Sequence, residues 1–190
     1  MKIKRLNENQ SKFVYYSIRE RLAAIELCDY MGWNLSEMTD DDSYENYDII
    51  YQASGSTVAE VKIRRIASTK YPEDLILEKI KYDGINKAAQ LTSNIISQLK
   101  VKQRFIVFFT DCVAIWDVSK ISENSFFTSH LRASSVSGYE ETVDKIITHL
   151  SLKEAEIINY KLDYTKIDYN AKVVFKSKYP HNMSQILNVN

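Results

Sequence analysis

Two short apolar runs, 47–52 and 57–65, are joined by Ala53-Ser54-Gly55-Ser56. A brief glycine-containing link between such runs predicts a β-hairpin. Side chains alternate across a strand, so Val58, Glu60, Lys62 and Arg64 share one face while Ala59, Val61 and Ile63 share the other. In the first run Asp48 lies with Ile50 and Gln52. Folding at the link brings Asp48 near Glu60 and gathers two carboxylates and a lysine on one patch. Such a patch suits phosphodiester hydrolysis. Carboxylates hold one or two Mg²⁺, a hard cation that takes oxygen ligands, and the Val61 carbonyl is placed to complete the shell. The metal acidifies a bound water and polarises the phosphoryl oxygen, while a lysine orients the attacking water and stabilises the charge that builds. The same Glu60-x-Lys62-x-Arg64 alternation also describes the wet face of a half-exposed strand.

The elements that must position these residues are legible as patterns. Phe13, Tyr16, Leu22, Ile25 and Leu27 recur at near-helical spacing over 8–31, with Gly32 as C-cap. The acidic stretch 34–46, centred on Asp40-Asp41-Asp42, reads as a solvated loop. Pro72 opens a helical pattern through Ile76, Ile80, Ala88, Leu91, Ile95 and Leu99, which Gly84 bends or divides. Residues 104–118 read as two buried strands turning at Thr110-Asp111, with 126–131 as a strand, 138–150 as a helix and 171–175 as strand-like. Trp33 and Trp116 read as core. Helix, hairpin, helix, strands, helix argues for an α/β sandwich around a mixed sheet.

Composition removes other chemistries. The four glycines, Gly32, Gly55, Gly84 and Gly138, stand more than twenty residues apart, so neither a Walker loop nor a dinucleotide fingerprint is present. Cys28 and Cys112 supply no paired-cysteine zinc site and suggest a reducing compartment. His130, His149 and His181 are too dispersed for an HExxH motif. No apolar run approaches a membrane span, and the start of the chain lacks a signal-peptide core, so a cytoplasmic protein without a membrane partner is expected. Lys plus Arg equals Asp plus Glu at 25 each, but the charge is segregated: residues 26–48 carry eight acids and no Lys or Arg, while residues 60–104 carry ten bases against five acids. A basic middle beside an acidic stretch suits a protein that holds a polyanion, and also a solvated surface segregated by chance.

Asp48, eleven residues, then Glu60-Val61-Lys62 resembles the PD-(D/E)XK nucleases, whose restriction-endonuclease-like fold is shared with archaeal Holliday-junction resolvases. The resemblance covers residues 8–116. It implies one domain over 1–190, with a core at about 8–118 holding a mixed central β-sheet of about four or five strands flanked by helices, and with 119–190 as helix and strand elaboration. It further implies Asp48 and Glu60 as metal ligands, Lys62 as the catalytic lysine, and Mg²⁺ as cofactor with Mn²⁺ able to substitute. Tyr47 stands where the superfamily often has proline. Many members place a glutamate on the first helix; Glu20 is the first candidate and Glu26 the second, the alternative for each being an exposed helix acid. Arg64, Arg65 and Lys70 are candidates for gripping phosphates. Glu78 and Lys81, at i and i+3 of the second helix, offer either a phosphate contact by Lys81 or an ordinary surface ion pair. The expected partner is nucleic acid, DNA before RNA, with a homodimer or larger complex enlarging the footprint. Two alternatives stay open: a nuclease-like fold that binds nucleic acid without cleaving it, and a structural protein of phage or assembly type whose hairpin charges are incidental.

Overall fold

Helix α1 (Glu8–Met31) is closed at both ends by its own sequence. Asn7 Oδ1 accepts the Gln10 N–H at 2.8 Å while Gln10 Oε1 accepts the Asn7 N–H at 3.0 Å, a capping box. Gly32 ends the helix at φ 66°, in the left-handed region that glycine enters without strain. These are features of a computed structural model, which describes residues 6–43, 45–70, 75–95, 100–132 and 141–186.

The chain then forms β1 (Asn34–Met38), β2 (Ile49–Ala53), β3 (Gly55–Ile63), β4 (Leu75–Glu78), α2 (Lys79–Ile95), β5 (Lys102–Phe108), β6 (Val113–Asp117), β7 (Phe127–Arg132), β8 (Thr142–Leu150), β9 (Glu156–Ile158) and α3 (Tyr164–Lys178). Six strands make a central sheet in the order β1-β2-β3-β5-β6-β9, and β4-β8-β7 make a second sheet. The central sheet is mixed: β3 and β5 run parallel, and its other neighbours antiparallel. Parallel neighbours need a long crossover, and here β4 and α2 supply it. No helix among the described residues is long and apolar enough to cross a membrane.

Alternation along the hairpin divides the core into two layers. Ile49, Tyr51, Ala59 and Val61 pack against Ala23, Ala24 and Leu27 of α1 and Ile167 of α3. Ile50 and Val58 point the other way, toward Tyr82, Ile85, Ala88 and Ala89 of α2 and Leu75 and Leu77 of β4. A third cluster joins α1 to α3 through Val14, Tyr15, Ile18, Ala171 and Phe175.

The expected α/β architecture with a mixed sheet holds, but several elements differ. The central sheet has six strands, not four or five, and a second sheet of three lies beside it. Residues 34–38, expected as loop, form an edge strand; both its faces are largely exposed, so no apolar alternation marks it. The expected helix from Pro72 is a strand over Leu75–Glu78 followed by a helix; Pro72 and Leu99 lie outside the described residues. Ile80, Leu91 and Ile95 are exposed, and the buried stripe is Tyr82, Ile85, Ala88 and Ala89. Gly84 does not divide α2, which runs unbroken from Lys79 to Ile95. Residues 142–150 are a strand, not a helix, because Ile147 and its neighbours pair with both β4 and β7. Ala171–Phe175 lies inside α3, where Ile167, Ala171 and Phe175 face the core four residues apart. Trp116 is buried as expected, whereas Trp33 is partly buried and stacks on Tyr51 at 4.6 Å.

Candidate active site

The β2–β3 register (Ile49↔Ala59) sets Asp48 beside Glu60. The Asp48 N–H donates to the Ala59 carbonyl at 2.9 Å, and Asp48 Oδ2 accepts the Val61 N–H at 2.7 Å. Its Oδ1 lies 3.8 Å from a guanidinium nitrogen of Arg21. Asp48 is 6% exposed and Glu60 0%, so the patch is not the wet face of a strand.

Three cations answer these acids. Lys62 Nζ stands 2.9 Å from Glu60 Oε1, 3.0 Å from Glu20 Oε2 and 3.0 Å from the Val61 carbonyl. Lys81 Nζ, from α2, lies 3.0 Å from Glu60 Oε1 and 3.2 Å from Oε2. Arg21 of α1 is buried and donates to the Thr39 carbonyl at 2.6 Å, the Ser17 carbonyl at 3.1 Å and the Asp40 carbonyl at 2.9 Å. It thereby ties the first helix to the segment that enters β2. A buried charge satisfied by this many acceptors is a fixed positioning element.

The electrostatics separate the two acids. Burial first, and then the charge of Glu60, push the Asp48 carboxyl up to about 7. Burial also acts to raise Glu60, but the ammoniums of Lys62 and Lys81 outweigh it and hold Glu60 below the ordinary carboxylate value. Burial opposes the charge on Lys62, yet Glu20, Glu60 and Asp48 reverse this and raise its pKa.

Of the two helix acids, Glu20 reaches the site. Glu26 faces elsewhere: it accepts the Tyr160 hydroxyl at 3.2 Å and pairs with Lys166 at 2.6 Å. Six positions along α1 separate the two, enough to turn them to different faces. Glu78 and Lys81 do not pair with each other. Glu78 ends a strand and meets Lys145 of β8 at 2.8 Å, while Lys81 begins the helix and turns to Glu60. Arg64 lines a cleft beside Lys62 and Lys81. Arg65 instead bonds Asp168 of α3, which also holds Arg19 at 2.8 Å, so its charge is engaged away from the acids. Lys70 is exposed at the end of a short turn (Ser68–Lys70), outside the cleft lining. Asp41, expected in a solvated loop, is buried against Lys178.

Sequence reasoning passed over Arg21, Arg132 and Lys145. Arg21 carries only the weak signal of flanking Glu20. Arg132 and Lys145 reach the cleft through the second sheet, which no local pattern announces. Among the described residues, no group of three or more His, Cys, Asp or Glu side chains stands in metal-holding arrangement. What converges is a pair of buried carboxylates and a carbonyl, with ammonium groups balancing their charge. No protein-family model matches the chain, and no curated protein matches it.

Proposed function

We propose that the chain is a Mg²⁺-dependent nuclease with a restriction-endonuclease-like core, hydrolysing phosphodiester bonds in DNA. The observation that carries this reading is the burial of Asp48 and Glu60 side by side, with Lys62 held between Glu60 and Glu20 at 2.9 and 3.0 Å. The donor set suits the cation: Asp48, Glu60 and the Val61 carbonyl offer only hard oxygen ligands, and Mn²⁺ accepts the same set. Bound there, Mg²⁺ would supply an acidified water and polarise the phosphoryl oxygen.

The chain's own residues do the rest. The Val61 N–H fixes the Asp48 carboxylate, and Arg21 locks the backbone that carries it. Glu20 and Glu60 hold the Lys62 ammonium in its charged form, ready to donate to a phosphoryl oxygen as negative charge builds. Lys81 and Arg64 place positive charge along the adjoining cleft, where backbone phosphates are held without reading sequence.

A second reading, nucleic-acid binding without cleavage, is favoured by one observation: both ammoniums already neutralise Glu60. Incubation with supercoiled, linear and branched DNA in Mg²⁺, Mn²⁺ or EDTA, with Lys62→Ala in parallel, separates the two. Metal-dependent cleavage lost in the variant is the expected result. Binding of folded protein without turnover in any metal supports the second reading.

A further inference from the structure

A cleft of about 350 Å³ opens between the central sheet and the second sheet, and Lys62 and Lys81 belong both to it and to the acid pair. Arg64 stands on the β3 side; Arg132, at the end of β7, and Lys145, in β8, stand on the other. Among the described residues Glu78 is the single acid in the lining, and Lys145 neutralises it at 2.8 Å. Neither Arg64 nor Arg132 has a carboxylate partner among the described residues; Arg64 has only a long 3.5 Å contact to the Ile63 carbonyl. Two guanidiniums with no carboxylate partner among the described residues, facing one cleft, fit an anion with more than one phosphate.

Charge is half of the lining. Ile76 and Leu131, both partly exposed, give the cleft an apolar floor, and the almost fully buried Leu77 and Phe105 border it. An intact duplex presents phosphates and keeps its base faces stacked inside, so an apolar floor gains nothing from it. An unstacked base gains from apolar and aromatic surface. The volume sits at the small end of ligand clefts, which run from about 300 to 1,000 Å³, a size for one nucleotide and not for a double helix.

We infer that this cleft seats a single unpaired nucleotide, its phosphates on Arg64 and Arg132 and its base against Ile76 and Leu131. The substrate class is then single-stranded nucleic acid, or the unpaired part of an end or branch. The inference takes its place beside the scissile bond from the nuclease reading, but its binding chemistry stands independently of that reading.

The test is binding of fluorescent single strands and blunt duplex to the full chain in EDTA, where no cleavage occurs. Arg132→Ala is compared with wild type and with Lys176→Ala, an exposed lysine of α3 outside the cleft. Arg132 is exposed, so thermal unfolding checks that its variant folds. Arg132→Ala is expected to lower the preference for single strand over duplex about tenfold. It is also expected to reduce the salt slope of single-strand binding by about 0.7. A strand with abasic residues is expected to bind wild type about tenfold more weakly than an ordinary strand. Equal loss on duplex and single strand, or indifference to the missing base, overturns the inference. If plasmid cleavage persists in that case, the nuclease reading survives alone. Arg132-dependent strand binding without cleavage in any metal keeps the cleft and removes the nuclease.

Discussion

Lys81, near the start of α2, reaches across to the fully buried Glu60 of β3 and lies within 3.2 Å of both its carboxylate oxygens. One ammonium from a crossover helix thus balances an acid in the middle of the central sheet. Removing it strands part of a buried charge, and losses of this kind are larger than the net worth of the pair. Lys81→Met is expected to destabilise the metal-free chain by about 2 kcal/mol near neutral pH, less than a fully broken pair because Lys62 remains. The pH sign follows from Glu60. Its folded-state pKa is depressed, so its contribution is present above the ordinary value near 4.5 and is lost as pH falls through the folded value. The gap between wild type and Lys81→Met should therefore be widest above about pH 5 and narrow on acidification. Urea unfolding of both proteins across that range measures it; a gap that widens in acid contradicts the role given to Lys81.

Asp48 has the opposite sign. Its folded-state pKa is raised from 3.8 to about 7, chiefly by burial and then by the charge of Glu60. A raised carboxyl contributes stability that is complete below the unfolded value and is lost as pH climbs through the folded one. The metal-free chain should therefore lose stability between about pH 4 and pH 7. Asp48→Asn keeps an oxygen for the Val61 N–H and removes the buried charge. It is expected to unfold at higher temperature than wild type at pH 8, by about 2 kcal/mol in stability, while losing cleavage. Mg²⁺ should reverse the wild-type decline, because a ligating carboxylate must be deprotonated and metal binding releases its proton. Calorimetry of both proteins with and without Mg²⁺ reads each part. A variant whose stability falls with pH as steeply as wild type would remove the buried carboxyl from the account.

The parts of the fold written locally are the parts that sequence reading recovers. The Asn7 cap, the apolar repeat and Gly32 define α1 within its own residues. The hairpin follows from period-two alternation about Gly55, so the Asp48–Glu60–Lys62 grouping is legible before any tertiary contact is known. What is lost is set at a distance. Val143, Lys145 and Ile147 alternate weakly enough to pass for helix, and β8 is a strand because β4 and β7 border it on both sides. Val173 and Val174 favour a strand by propensity, but Ile167, Ala171 and Phe175 pack on α1 at helical spacing and override it. Arg21 and Lys81 enter the site from two helices on opposite faces of the sheet, and nothing in their immediate sequence says where they point.

Lys62 and Glu20 act as a unit but not as equals. Lys62 Nζ faces the acids and the cleft, while Glu20 touches only the lysine among the groups of the centre. Under the nuclease reading, Lys62→Met removes the donor to the developing phosphoryl charge and should lower kcat by about 100- to 1,000-fold. Glu20→Gln keeps a hydrogen-bond acceptor for the ammonium and removes the anion that helps hold its proton. Its expected loss is about tenfold at neutral pH and grows as pH rises, because its lysine deprotonates earlier. Parallel pH profiles of wild type and Glu20→Gln distinguish this from a structural role, which would shift activity equally at every pH.

Gly84 sets the distance between α2 and the segment leading into Asp48. A Cβ added there would stand 2.0 Å from Asn46 Cβ, 2.9 Å from the Asn46 carbonyl oxygen and 3.0 Å from its Cα. Those neighbours are backbone or fixed to it, so they cannot swing aside. The same segment is held to α2 by Lys81, whose Nζ donates to the Glu45 carbonyl at 3.2 Å. Gly84→Ala must therefore push the 45–47 segment away from the helix, although alanine is the better helix former. The clash outweighs the gain of roughly 1 kcal/mol in helix propensity, leaving a net loss of about 1–3 kcal/mol. Because the displaced segment carries Asp48 at its end, Mg²⁺-dependent stabilisation should weaken along with the fold. Asn46→Gly removes the closest of the three contacts, so the double variant should recover part of the stability lost in Gly84→Ala. Thermal unfolding of the four proteins of this cycle, with and without Mg²⁺, measures the coupling; purely additive effects would place the close approach elsewhere.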